Sequence, residues 1–222
     1  MLASPTPTQS KTQTAIQTAM GEKRVTLHGL NWQAYQQILE ALPQSRAARL
    51  TYDRGTLEIT VPLETHEFII RLMERVMTVI MEELRLNIKT MGSTTMNREG
   101  LKRGSEPDCA YYIENQAAVS DRDVDFETDP PPDLVVEVDI THTDIDKNQL
   151  YATLGIPEFW RYDGQKWLIF KLEDGAYQAC DRSPTFEWLE KEALYKFFVD
   201  ARANELDALL NFRAYVREKI QP

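Results

Sequence analysis

Four residues of this chain have the types and spacing to work on a phosphate ester. Glu137 and Asp139 sit inside the apolar run Leu134, Val135, Val136, Val138, Ile140, and side chains alternate across a strand, so both carboxylates fall on one face behind Val135. A carboxylate buried beside valines costs several kcal/mol unless a metal, a base or hydrogen bonds compensate it. Lys147 follows in the first turn of a predicted helix that begins just beyond the acidic end of that strand. Asp108, after Pro107, precedes a second apolar strand, Cys109 to Ile113. If the two strands pair, Asp108 and Glu137 can share one divalent cation, which takes carboxylates, carbonyls and waters. Two carboxylates, a lysine and the free N–H groups of a helix start at one sheet edge suit metal-assisted attack on a phosphodiester. The alternatives are an exposed sheet edge with solvated acids and a lysine on an ordinary helix face.

The elements that position these groups follow from the pattern. Asp133 to Ile140 reads as a strand buried on both faces. Thr143, with Asp146 at capping-box spacing, predicts the helix start, and Gly155 and Pro157 stop the helix. Upstream, Asn31 to Leu42 reads as a helix on the core, and RLTYDRGTLEITV, Arg49 to Val61, as a hairpin turning at Asp53-Arg54-Gly55. Thr65 to Leu86 carries a broad apolar stripe of helical period, with Met73, Met77 and Met81 as gap-filling core. Glu64, His66 and Glu67 at its start either approach the site or simply solvate the helix N-terminus. Leu86 to Thr90 reads as a short strand, and residues 92–100 and 114–132 as polar connections. From Phe159 to Ala179 the pattern is a meander turning at Asp163-Gly164 and Asp174-Gly175. Residues 184–222 form a C-terminal helical segment. Trp160, Arg161 and Tyr162 read as core and edge.

At 222 residues, 42% of them apolar, the chain can bury one sizeable core, so residues 23–222 are expected to form a single domain behind a disordered tail, residues 1–22, rich in Thr, Gln, Ser and Pro. No stretch is long enough to span a membrane and no signal-peptide core is present, so a soluble, cytoplasmic protein is expected. Cys109 and Cys180 form neither a disulfide framework nor a zinc pattern and read as buried or half-buried thiols. A net charge of −10 argues against a protein that coats nucleic acid non-specifically. It leaves room for a nuclease whose metal offsets the acids locally.

The order Pro107-Asp108, Glu137-Val-Asp139, Lys147 resembles the PD-(D/E)XK nuclease superfamily. More closely, GSTTMNREGLKRGSEPDCAYYI and PPDLVVEVDITHTDIDKNQLYATLGIPEFWRYD resemble the Uma-type family of putative restriction endonucleases, a domain of unknown function, over about Asn31 to Arg217. The resemblance implies an α/β fold of the α+β kind, a restriction-endonuclease-like mixed sheet flanked by helices, with DNA as substrate and Mg²⁺ (or Mn²⁺) as cofactor. Carried onto this chain it implies Asp108 and Glu137 as metal ligands, with the Val138 carbonyl a third, and Asp139 as a further acid. The superfamily has lysine two residues after the strand acid, where this chain has Asp139, so the lysine is expected to have moved to Lys147. Glu67, Glu64 and His142 are auxiliary candidates, although a lone loop histidine is more often incidental. Cutting both strands with one site per chain implies a homodimer. Two other readings stand beside this one: a catalytically inactive nuclease-fold module that binds DNA or protein, and an enzyme acting on RNA or a nucleotide.

Overall fold

Continuous apolar runs and alternating ones build two different sheets in this protein. The computed structural model describes residues 22–43 and 45–221. In chain order these form β1 (Glu22–Leu27), α1 (Trp32–Ala41), β2 (Arg49–Asp53), β3 (Thr56–Pro62), α2 (Glu64–Leu84), β4 (Lys89–Met91), β5 (Met96–Arg98), β6 (Arg103–Ser105) and β7 (Cys109–Tyr112). Then come α3 (Gln116–Val119), β8 (Leu134–Val138), α4 (Lys147–Thr153), β9 (Glu158–Tyr162), β10 (Trp167–Glu173), β11 (Ala176–Cys180), α5 (Lys191–Ala201) and α6 (Glu205–Ile220). The expected tail lies outside the described residues up to position 21, and its last residue, Glu22, instead opens a strand.

The larger sheet has the order β11-β10-β9-β8-β7-β4. β8 is buried along its whole length, as its unbroken apolar run requires. It pairs antiparallel with β7 and parallel with β9, and α4 makes the crossover between the parallel pair. Alternation sorts the side chains: Leu134, Val136, Val138, Cys109 and Tyr111 pack under α2, α5 and α6. Val135, Ala110 and Phe159 face the other way, onto Leu150 and Tyr151 of α4. Glu137 shares the parity of Val135, so it is carried to the α4 face.

The larger sheet is the mixed sheet that the resemblance implies, and the smaller sheet, β1-β3-β2-β6-β5, is antiparallel throughout. Its β2–β3 turn has Arg54 at φ 40° and Gly55 at φ 109°, the two positive values that a tight two-residue hairpin turn needs. Leu50, Tyr52 and Leu57 bury their side chains against Trp32 and Tyr35 of α1. The opposite side chains, among them Arg24, Glu58, Arg49 and Thr51, lie on the other side of the same strands. Residues 92–100, polar by composition, hold β5 and a short 3-10 turn, and the segment 114–132 holds α3.

Candidate active site

The site forms where the polar side of the smaller sheet meets the acidic end of the larger one. Glu22 and Arg24 of β1, Arg49 and Thr51 of β2, His66 of α2, Asp108, Glu137, Val138, Asp139 and Lys147 surround a small cavity of about 20 Å³. That is space for about one water-sized occupant. The strand register explains the meeting of the first two acids: Cys109 pairs with Val136, so one step further places Asp108 beside Glu137. Asp108 Oδ2 accepts the Val138 N–H at 2.7 Å. Asp108, Glu137 and Asp139 are all buried, as the flanking apolar residues require.

Lys147 is the first residue of α4, and its ammonium lies 2.8 Å from Glu137 Oε2 and 2.9 Å from Asp139 Oδ1. The helix that follows the strand thus brings an ammonium to both of its acids. The helix start itself is corrected: Asp146, not Thr143, caps it, accepting the Gln149 N–H at 3.0 Å. Thr143 is engaged elsewhere, donating to Glu58 Oε2 at 2.8 Å, while Glu58 Oε1 accepts the Asp144 N–H at 2.6 Å. Glu58 of the smaller sheet therefore pins the loop that leads into α4.

Charge compensation in the site is dense. Burial alone would lower the Lys147 pKa, but Asp139 and Glu137 outweigh it and hold the ammonium above its usual value. Burial alone would raise Asp139; Lys147 and Arg161 outweigh it and hold the carboxylate below its usual range. Arg161 of β9 places Nε 3.1 Å from Asp139 Oδ2, and Arg24 bridges Glu22 at 2.7 Å, Glu58 at 3.1 Å and Asp139 at 3.4 Å. Asp108 meets the Arg49 guanidinium through Oδ1 and His66 Nε2 at 3.1 Å through Oδ2. Burial, then Arg49 and Lys147, push His66 down to about 3, so its imidazole is neutral. The Tyr151 hydroxyl donates to Glu137 Oε1 and lies 2.8 Å from Ser105 Oγ, and burial together with Glu137 lifts its pKa well above the usual value.

The auxiliary candidates divide. Glu67 reaches the rim, with Oε1 3.4 Å from Arg49 Nη2. Glu64 is exposed and does not line the cavity. His142 is 87% exposed at its side chain and pairs with Asp144 at 3.2 Å, away from the cavity. Sequence reasoning missed Glu22, Arg24, Glu58, Arg49 and Arg161. Their signal is weak, because charged residues alternating with apolar ones read as the solvated side of a strand.

Among the described residues no three His, Cys, Asp or Glu side chains stand together as a ready metal shell. Asp108 and Glu137 nevertheless stand side by side next to a water-sized space, which puts two carboxylates within reach of one cation such as Mg²⁺ or Mn²⁺ once their present partners yield. Mg²⁺ characteristically uses one or two carboxylates and keeps waters for the rest of its octahedron.

Residues 32–202 match the family Uma2, described as "Putative restriction endonuclease". Among solved structures, the chain is similar to a protein from Anabaena variabilis ATCC 29413 described as a putative nuclease belonging to DUF820. The two share 14% identity and a TM-score of 0.53 over 75% of this chain and 97% of the other, a likeness of fold. No curated protein matches the chain.

Proposed function

The chain belongs to the Uma2 family of putative restriction endonucleases, and from that premise we propose that it is a metal-dependent endonuclease that hydrolyses DNA phosphodiester bonds. The observation that carries this reading is the Lys147 ammonium lying between Glu137 and Asp139, beside Asp108, in a cavity of water size. Asp108 and Glu137 would hold Mg²⁺ or Mn²⁺, which when bound would supply an acidified water and offset charge developing on the phosphate. Lys147 orients the attacking water and donates to the phosphate oxygens as negative charge grows on them. Asp139, kept ionised by Lys147 and Arg161, fixes the ammonium in place. Tyr151 holds Glu137 in its rotamer through the hydroxyl bond. Glu67 acts at the rim through Arg49.

No helix among the described residues is long and apolar enough to cross a membrane. One site per chain and two strands to cut favour a two-fold dimer as the working unit.

The test is cleavage of supercoiled plasmid and of single-stranded DNA with Mg²⁺ or Mn²⁺. Wild type is expected to nick or linearise DNA, and Asp108→Asn, Glu137→Gln and Lys147→Met to lose at least about a hundredfold in rate. Wild-type protein that binds DNA without cutting any substrate under these ions would favour an inactive binding module instead.

A further inference from the structure

Among the described residues, Arg49 is the one lysine or arginine in contact with Asp108, whose other side-chain neighbour at the site is His66. It opens β2 and its side chain is 16% exposed, against 7% for Lys147 and 8% for Arg24, so it stands nearer the mouth of the cavity than they do. Its second terminal nitrogen points to the half-exposed Glu67 at 3.4 Å. Lys147, by contrast, is gripped by two carboxylates at hydrogen-bonding distance. A cation arriving at Asp108 therefore competes with Arg49 first.

Resting on the nuclease reading, we propose that Arg49 is the resident counter-ion of Asp108, that a divalent metal displaces it, and that the freed guanidinium clamps the phosphate of the incoming strand. The guanidinium suits this second role because it keeps its charge at every working pH and offers paired donors that match two phosphate oxygens. Displacement at the rim leaves it within a side chain's reach of Asp108 and beside Glu67, which becomes its alternative partner until substrate arrives. The device keeps Asp108 neutralised in the metal-free protein, where an unpaired buried carboxylate would be destabilising. It also makes the phosphate clamp available only once metal is loaded.

Calorimetric titration of Mn²⁺ alone, followed by binding of a short DNA duplex in Ca²⁺, tests the two halves with signs that a merely structural arginine would not produce. Arg49→Gln is expected to bind Mn²⁺ tighter by about tenfold and the duplex weaker by about tenfold. It should also melt at lower temperature than wild type without metal and recover with Mn²⁺. Equal or weaker Mn²⁺ affinity in a folded Arg49→Gln protein overturns the proposal while leaving the nuclease reading intact. Failure of the wild type itself to bind Mn²⁺ removes both. Should the glutamine variant not fold, Arg49→Lys decides: it retains the charge at Asp108 but loses the paired donors, so duplex affinity unchanged from wild type overturns the clamp.

Discussion

Lys147 keeps its charge in a buried position because Glu137 and Asp139 require a cation there. Removing one member of such a cluster leaves the others buried and uncompensated, so Lys147→Met should lower stability to urea by about 3–5 kcal/mol without metal. A loss below about 1 kcal/mol would mean that Arg24 and Arg161 suffice to carry both acids. Tyr151→Phe deletes one hydroxyl that serves Glu137 and Ser105 and should cost about 1–3 kcal/mol in the same measurement. At this scale the sequence is legible where chemistry conflicts with surroundings. Acids in an apolar run announce themselves, and Asp108, Glu137, Asp139 and Lys147 do meet. His66 stands out by type, but nothing in its neighbours says whether it turns inward. Arg24, Arg49, Arg161 and Glu22 are invisible, because a charge on an alternating strand carries no mark of whether it faces water or another sheet. His142, conspicuous as a lone histidine, lies at the surface.

Elements deliver these residues through parity and register. The β2–β3 hairpin and the long helix α2 are legible from period and turn chemistry, and both appear close to the expected bounds. β1 is not: its Glu22, Lys23 and Arg24 hide a strand that pairs fully along β3. β5 and β6 are hidden by their shortness, yet β6 is a tight contact. A methyl group on Gly104 would meet the Tyr35 hydroxyl at 2.6 Å and the Asn97 side chain. Gly104→Ala should therefore overpack this layer and lower stability by about 1–3 kcal/mol in thermal or urea unfolding. β9 supplies a pH signature. Burial pushes the Glu158 carboxyl above its usual value, against hydrogen bonds from Thr185, Ser183 and Trp160. The folded chain thus keeps this proton at a pH where the unfolded chain has released it. Its contribution to stability is fully present below the unfolded pKa and is lost as pH rises through the raised folded value. Compared with Glu158→Gln, wild type should lose ground steadily across that window, whatever constant offset the amide introduces. Parallel urea titrations of the two proteins from acid to neutral pH measure the difference, and a constant gap would contradict it.

For the whole molecule, the two sheets divide the labour. The larger one supplies the acids, Arg161 and, through its crossover helix, the lysine; the smaller supplies Arg24, Arg49 and the buried glutamates that lock the loop before α4. The mixed sheet flanked by helices that the resemblance implies is present, while the second sheet rests on short strands whose pairing no local pattern reveals. The family match ends at residue 202, but the core does not: Ala208, Phe212 and Val216 of α6 are buried against the helical layer. Each large apolar side chain withdrawn from the core costs about 1.5–3 kcal/mol, against a total stability of about 5–15 kcal/mol for an ordinary domain. A chain truncated after residue 203 should accordingly lose its cooperative melting transition by calorimetry. With a net charge of −10, a divalent ion is the natural mediator between this protein and the polyanion proposed as its substrate. The most direct measurement is therefore calorimetric titration of Mn²⁺ into wild type, Asp108→Asn and Glu137→Gln. Saturable binding in the wild type that is lost or sharply weakened in both variants is the predicted result. Binding that both folded variants retain at wild-type strength would contradict the assignment of Asp108 and Glu137 as the metal's ligands.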